Sequence, residues 1–450
     1  MPPRIALVSR EYPPHFGGGI GTYARHIVPA LAARGCTVHV ITQSHNETHP
    51  STERQGRITI HRVPMGVGLG PGCLSASIHA ARVVADLARR MEIDIVEFAE
   101  CEGAGAAFLM ARESGMLGRL ELPVVVHLHS PTELNLALNH EPTPEHPDPG
   151  VSPAIGAVVA AERWTIRTAD AICAPSHIMA SWAQQHFGLE HRPEIIPYAI
   201  GPVPEPTPAP TGEGRTLLYT GRLERRKGVD ILCRAWALVS PDFPVWTLRM
   251  VGADTGTGPA GSSMRAYIES ILGPQALRRT VFIGARPSWA LPEEYRNAHA
   301  CIIPSRWENF PNTSIEAMTH ARPIIVSTRG GMFEMLADSE GGAAFRSEDA
   351  ADCERAIRAV LALTDRERRA MGLRARARIL QLCDENSVAD ARIDFYQRTI
   401  EAWNTHGWRT GRAERLGVWR DLTALLTSGA LVDPLPTIET PANRHAGANA

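Results

Sequence analysis

Lys227 is the only lysine in this chain of 450 residues, whose other 45 basic side chains (46 − 1) are arginine. It lies in GRLERRKG (221–228), where Arg222 ends an apolar run and Lys227 opens a helical pattern. The loop between them puts two cations and the free N–H groups of a helix start at one point, a combination that suits a diphosphate. An isolated R-x-x-x-x-K is more often a solvated basic turn. A single lysine kept among arginines argues otherwise, because a compact ammonium reaches a phosphate where a guanidinium fork imposes the wrong geometry.

A second group lies in PSRWENFPNTSIEAM (304–318). Glu308 falls in a loop after the strand-like run ACIIPS, and Asn312 or Thr313 is expected to cap a helix carrying Glu316 about one turn in. Both carboxylates then point into one cleft, beside backbone N–H groups that attract an anion. The E-x7-E spacing alone carries no weight; its placement does. A third segment, HFGGGIGTYARHI (15–27), follows the first strand, and Gly17, Gly18, Gly19 and Gly21 let a backbone approach a ligand closely. It is not a G-x-G-x-x-G, and no acidic ribose partner follows at the dehydrogenase spacing. His127 and His129 flank the end of a buried strand and are placed on opposite faces of it. A satisfied core histidine is the plain alternative for each.

The elements that must hold these residues alternate along the chain. RIALVSR, TVHVITQ, ITIHRVP, IDIVEFAE, PVVVHLHS and DAICAPS read as strands, with helices at 20–34, 75–91 and 153–169 between them. The rhythm stops at the Pro-rich stretch 201–214 and resumes with RTLLYTGR, WTLRMVGA, TVFIGA, ACIIPS and PIIVST. The fold class is α/β. Two Rossmann-like doubly wound parallel-sheet domains, 1–200 and 215–385, are expected to face a cleft beyond the carboxyl ends of their strands. A helix at 386–404 is expected to pack back on the first domain, followed by a basic helical piece and polar tail, 405–450. NHEPTPEHPDPG (139–150) reads as a mobile loop. No repeat of fixed period is evident.

Composition narrows the chemistry. A net charge of −2 argues against wholesale nucleic-acid binding. The N-terminus lacks a signal-peptide pattern and no run reaches membrane-span length, so the expectation is a cytoplasmic chain, with peripheral membrane contact left open. Eight cysteines without a C-x-x-C pair fit buried thiols better than zinc or disulfides. HNETH (45–49) is not H-E-x-x-H and is rejected as a zinc peptidase motif.

The ordered set GGGIGTYARHI, HLHS, APS, GRLERRKG, E-x7-E and GGMFEML resembles the family-4 retaining glycosyltransferases with the GT-B fold, over roughly residues 4–404. The resemblance implies that Arg222 and Lys227 bind the diphosphate of a nucleotide-sugar donor. Glu308 contacts the transferred sugar, Glu316 holds the ribose, and His129 contacts the sugar. His129, Arg222, Lys227 and Glu308 are the catalytic candidates. Gly18, Gly19 and Asn309, Phe310, Pro311, Asn312 and Thr313 join them around the donor, and Gly330, Gly331 and Glu334 match the family's GG-x-x-E turn. No metal or other cofactor is expected, since the cationic pair does what Mg²⁺ does elsewhere. UDP-hexose or UDP-HexNAc is the favoured donor, then GDP-mannose, and the acceptor is a small molecule, a glycan or a lipid-linked hydroxyl. Glu97, Glu100 and Glu102 cluster at a strand end on the acceptor side, which suits an amino- or polyhydroxylated acceptor or merely solvated loop charges. Ala199 departs from the family, which often has glycine there. The alternatives are a nucleotide-sugar epimerase of similar fold and a non-catalytic nucleotide-sugar-binding protein; acceptor-dependent product formation separates them from a transferase.

Overall fold

The computed structural model describes residues 1–14, 18–44, 50–64, 72–117, 122–139, 153–203, 205–208 and 214–406. Gly17, the HNETH segment, the 139–150 insertion beyond Asn139 and the extension from 407 onward lie outside these residues. The described chain divides into two compact units, one of residues 1–134, 153–201 and 383–406 and the other of residues 135–139 and 202–382.

The first unit is an eight-stranded sheet of β1 (Arg4–Val8), β2 (Thr37–Ser44), β3 (Ser51–Gln55), β4 (Ile58–Pro64), β5 (Ile95–Ala99), β6 (Val124–His127), β7 (Ala171–Ala174) and β8 (Glu194–Ile195). Their spatial order is β3-β4-β2-β1-β5-β6-β7-β8, parallel throughout except for β3 against β4. β2, β5 and β6 are buried at nearly every position on both faces, as strands of a sheet covered on both sides are, although β2 and β5 carry polar residues such as His39 and Glu97 among the apolar ones. The polar β3, STERQ, is exposed at every position and shows no alternation, which hid it from the sequence reading. A charged edge strand of this kind discourages edge-to-edge pairing. The helix Glu385–His406 belongs to this unit, where Arg392 and Tyr396 are fully buried.

The second unit is a six-stranded parallel sheet of β9 (Arg215–Thr220), β10 (Trp246–Val251), β11 (Thr280–Gly284), β12 (Ala300–Ile303), β13 (Ile324–Ser327) and β14 (Gly342–Phe345), in the order β11-β10-β9-β12-β13-β14. That is the doubly wound order 3-2-1-4-5-6, so the order in which strands are added reverses between the parallel neighbours β9 and β12 and a crevice must open beyond their carboxyl ends. The core packs Leu217, Tyr219, Trp236, Leu248 and Ile302 between sheet and helices. β14, GAAF, was missed because Gly and Ala have weak strand propensity. Its Gly342 is dictated by packing, since a Cβ there would lie 1.9 Å from the Ile324 carbonyl oxygen. Ala199 is buried and is absent from the described residues with positive φ, so its backbone does not require the family's glycine.

Candidate functional site

In the second unit the reversal between β9 and β12 is where the charged residues gather. Beyond β9 the chain runs through Arg222 into a short 3-10 turn, Arg225–Lys227, and then Gly228 opens the helix Val229–Val239. Lys227 therefore ends a tight turn and does not begin the helix. Gly228 has φ 64°, and a Cβ on it would come within 2.0 Å of the Pro304 carbonyl oxygen. Only glycine lets the loop after β9 lie this close to the loop after β12. Beyond β13 the same device recurs: Gly330 has φ 132°, a Cβ there would meet the Glu308 carbonyl oxygen at 2.4 Å, and Gly331 N–H donates to that oxygen at 2.8 Å. Three strand-end loops are thus locked around Glu308.

The Glu308 carboxylate is buried, and its side-chain contacts converge on one oxygen. Oε1 accepts from Arg226 Nη1 at 2.9 Å, from Ser305 Oγ at 3.2 Å and from Lys227 Nζ. Oε2 makes no hydrogen bond among the described residues. Burial pushes the carboxyl up, but the charges of Arg226 and Lys227 outweigh it and hold it below the usual range. Burial, aided by the charge of Arg226, lowers the Lys227 ammonium despite the opposing pull of Glu308. Glu224, 2% exposed at its side chain, bridges Arg222 Nη2 at 3.0 Å and Arg226 Nη2 at 2.8 Å. The result is an alternating chain, Arg222–Glu224–Arg226–Glu308–Lys227. Both cations expected to face a diphosphate are paired with carboxylates in the protein alone. Arg226 and Glu224 were missed because they sit in a run of charge, LERRK, that reads as a solvated turn. Arg306, also missed, grips Asp230 through two 2.8 Å bonds and fixes the β12 loop to the helix Val229–Val239.

Glu316 lies in the helix Asn312–Thr319. The cap differs from expectation: Pro311 is the N-cap residue, with no side-chain cap bond, and Asn312 and Thr313 are the first helical residues. Proline's fixed φ suits a chain entering a helix; Ser314 N–H donates to the Pro311 carbonyl at 3.0 Å, and the N–H groups of Asn312 and Thr313 have no carbonyl partner within the helix. Asn309 and Phe310 are buried between Glu308 and Pro311. Tyr295 Oη donates to Glu316 Oε2 at 2.7 Å and also contacts Thr220 Oγ1 at 2.7 Å. Burial pushes the Glu316 carboxyl up to about 7, against the Tyr295 bond. Glu334 lies in the first turn of the helix Gly331–Leu336.

In the first unit, Gly18 is the N-cap of the helix Gly19–Ala33, which contains Gly19 and Gly21. Gly18 N–H donates to Glu11 Oε2 at 2.7 Å, so a carboxylate occupies part of the anion-attracting helix end. His129 Nδ1 lies 2.8 Å from Tyr198 Oη. His127 and His129 are neighbours, with ring centroids 4.5 Å apart, and both stack edge-on against Tyr23. Placing them on opposite faces was an error, since residues i and i+2 share a face. Burial, and then the charge of Arg392, depress His129 to about 3, so its imidazole is neutral at physiological pH. Tyr198 and Arg392, distant in sequence, left no local signal.

The three acidic residues do different things. Glu97 is buried within β5 and bonded to Arg392 Nη1 at 3.0 Å and Tyr396 Oη at 2.6 Å. Its carboxylate, His127 and Cys173 place their ligand atoms within 4.8 Å of one another. Arg392 Nη1 also lies 2.8 Å from Cys173 Sγ, so a guanidinium takes the place a metal cation would need. Glu100 is fully buried and accepts the backbone N–H groups of His129 and Ser130, at 2.6–2.9 Å. It shapes the loop that carries His129 and is not exposed to an acceptor. Glu102, with φ 56°, is partly exposed and paired with Arg10.

Glu162 accepts from Glu102 N–H and Thr132 N–H, both at 2.7 Å. Burial raises Glu100 to about 7 and Glu162 to about 8, from 4.5. Groups whose folded pKa is raised stabilise the fold fully below the unfolded value and lose that contribution as pH rises through the folded one. The expected outcome is a melting temperature that falls between about pH 5 and 8, with a flatter profile in Glu162→Gln, read by thermal denaturation across buffers. An identical profile in the variant would contradict the assignment.

Residues 17–202 match the family model described as Glycosyltransferase Family 4, and residues 214–363 match glycosyl transferases group 1. A glycogen synthase of Mycobacterium tuberculosis is 28% identical over 420 residues, covering 87% of this chain and 94% of its own. A D-inositol 3-phosphate glycosyltransferase of Geodermatophilus obscurus is 26% identical over 394 residues, covering 80% and 83%. Among solved structures, sucrose-phosphate synthase from Thermosynechococcus elongatus superposes with a TM-score of 0.69 at 20% identity, covering 89% of this chain and all of that one. The catalytic domain of starch synthase IV from Arabidopsis thaliana, bound to ADP and acarbose, gives 0.65 at 12% identity with the same coverage. No helix among the described residues is long and apolar enough to cross a membrane. With two doubly wound units, charged loops at the reversal of the second, and family models matching both halves, the chain is a glycosyltransferase of the family-4 type with the GT-B fold.

Proposed function

We propose that the chain moves a hexosyl group from a nucleoside-diphosphate sugar to an acceptor hydroxyl, with retention of anomeric configuration and without a divalent metal. UDP-hexose or UDP-HexNAc is the first choice of donor and GDP-mannose the next; the acceptor is a small molecule, a glycan or a lipid-linked hydroxyl. The observation that carries this reading is the convergence on Glu308 at the β9/β12 reversal. Two cations, Arg222 and Lys227, reach the point where a diphosphate binds in such sheets, and Glu308 Oε2 is left to accept from a sugar hydroxyl. Glu316 accepts from the ribose hydroxyls and neutral His129 from the sugar. In the transfer step the bond from the anomeric carbon to the diphosphate oxygen breaks. The acceptor oxygen bonds that carbon on the same face, and its proton passes to the departing phosphate oxygen. Arg222 and Lys227 neutralise the charge that develops there.

The test of the donor class is thermal denaturation with UDP, ADP, GDP and their hexose conjugates. A ligand at 100 times its dissociation constant adds about 2.7 kcal/mol. One nucleotide series is expected to stabilise the protein, and no effect from any of them would overturn the reading.

The two glutamates separate by assay. Glu316→Gln is expected to weaken nucleotide-sugar binding roughly tenfold, the scale of a charge-assisted hydrogen bond, whereas Glu308→Gln abolishes transfer without weakening nucleotide affinity. Because Glu316 titrates near 7 and only its ionised form accepts fully from ribose, affinity should fall as pH drops below about 7. That dependence should vanish in Glu316→Gln. A nucleotide-sugar is the right ligand, since its diphosphate diester does not titrate in this range. Equal losses of affinity in both variants would defeat the separate roles.

A further inference from the structure

A diphosphate that takes Lys227 leaves Glu308 short of a cation, and Arg226 makes up for it. If Lys227 serves the diphosphate, it must leave Glu308, and a buried carboxylate stripped of its cation is costly. Exposure of the cations in the chain is graded. The Arg222 side chain is 62% exposed and Lys227 17%, whereas Arg226 is 8% exposed and bonded to both Glu224 and Glu308. Arg222 and Lys227 can turn toward a ligand, while Arg226 cannot without abandoning two buried carboxylates.

We propose that Arg226 is a positioning residue that holds Glu308 in place while Lys227 passes from Glu308 to the diphosphate, so that Glu308 and the diphosphate compete for one ammonium. In the free protein the Lys227–Glu308 pair is the resting arrangement. A diphosphate draws Lys227 and Arg222 away, and Glu308 and Glu224 keep Arg226 as their shared partner. Ser305 Oγ remains on Oε1, so the carboxylate does not swing and Oε2 stays presented to the sugar. The handover ties recognition of the phosphates to the state of the carboxylate that meets the sugar. This inference rests on the donor-site reading above and assigns a role to a residue that reading does not use.

The experiment is calorimetric titration of the full chain with inorganic pyrophosphate and with UDP, ADP and GDP. Glu308→Gln removes the competitor with little change of shape and is expected to tighten pyrophosphate about tenfold, the scale of one charge-assisted hydrogen bond. Arg226→Met is expected to weaken it by a similar factor, because Glu308 then keeps Lys227. The double variant should bind more tightly than Arg226→Met, because Lys227 is free of Glu308, but less tightly than Glu308→Gln alone, because Glu224 then keeps Arg222. Arg226→Lys should restore donor KM but only part of kcat, because one ammonium cannot span Glu224 and Glu308 as the fork does. If Arg226→Met does not fold, Glu308→Gln and the lysine variant carry the test. Pyrophosphate or a nucleotide that binds the wild type, with equal or weaker binding to Glu308→Gln, overturns the competition while leaving the donor site standing. Absence of binding by all four ligands to the wild type overturns the donor site itself, and this inference with it.

Discussion

Lys227→Ala is expected to lower kcat/KM for the donor by roughly 10²–10³, about 2.7–4 kcal/mol of transition-state stabilisation, the scale of losing one preorganised charge. Lys227→Arg should recover only part of it. Glu308 Oε1 already takes one guanidinium, from Arg226, at 2.9 Å. A second fork cannot share that oxygen without displacing the first, and its planar head cannot turn on a flexible stem as an ammonium does. Steady-state kinetics at saturating acceptor check this, and an unchanged kcat/KM in the alanine variant would remove Lys227 from the clamp.

The second large effect is on stability. Arg392→Met should cost about 3–5 kcal/mol, as breaking a buried ion pair by removing one partner does. Arg392 has no exposed surface and its partner Glu97 is 2% exposed. Among the described residues, removal leaves the carboxylate with the hydroxyls of Tyr23, at 2.8 Å, and Tyr396, and with His127 Nδ1 3.8 Å away. Pairing Arg392→Met with Glu97→Gln should be less damaging than the sum of the two, because the uncompensated charge is gone. Urea denaturation measures both, and a loss below about 1 kcal/mol in the single variant would mean that the pair is not a net support of this unit.

How much of this was legible in the chain depends on the range over which each signal acts. The parallel strands announced themselves through continuous β-branched runs, and with them the two doubly wound sheets. The reversal between β9 and β12 then explains why GRLERRKG and the Glu308 segment, 81 residues apart at the Lys227–Glu308 contact, meet at all. Their partnership was not visible: each segment read as a separate ligand contact, and only the folded loops show the two charges spent on each other. Arg226 was hidden for the same reason, because burial turns a residue of a basic run into a fixed support and local sequence does not display burial. Arg392 and Glu97, 295 positions apart, joined through a helix whose face could not be assigned beforehand. Glu100 looked like an exposed acid at a strand end, whereas its oxygens serve the backbone of the neighbouring loop. Where physics was misapplied, as with His127 and His129, the strand's own periodicity supplies the correction.

The most direct test of the mechanism is proton NMR of the product formed from an α-linked nucleotide-sugar, with and without a metal chelator. The account predicts an α-linked product and a rate little changed by chelation, because Arg222 and Lys227 supply the charge that a metal would otherwise carry. A β-linked product, or activity lost on chelation and restored by a divalent cation, would contradict it.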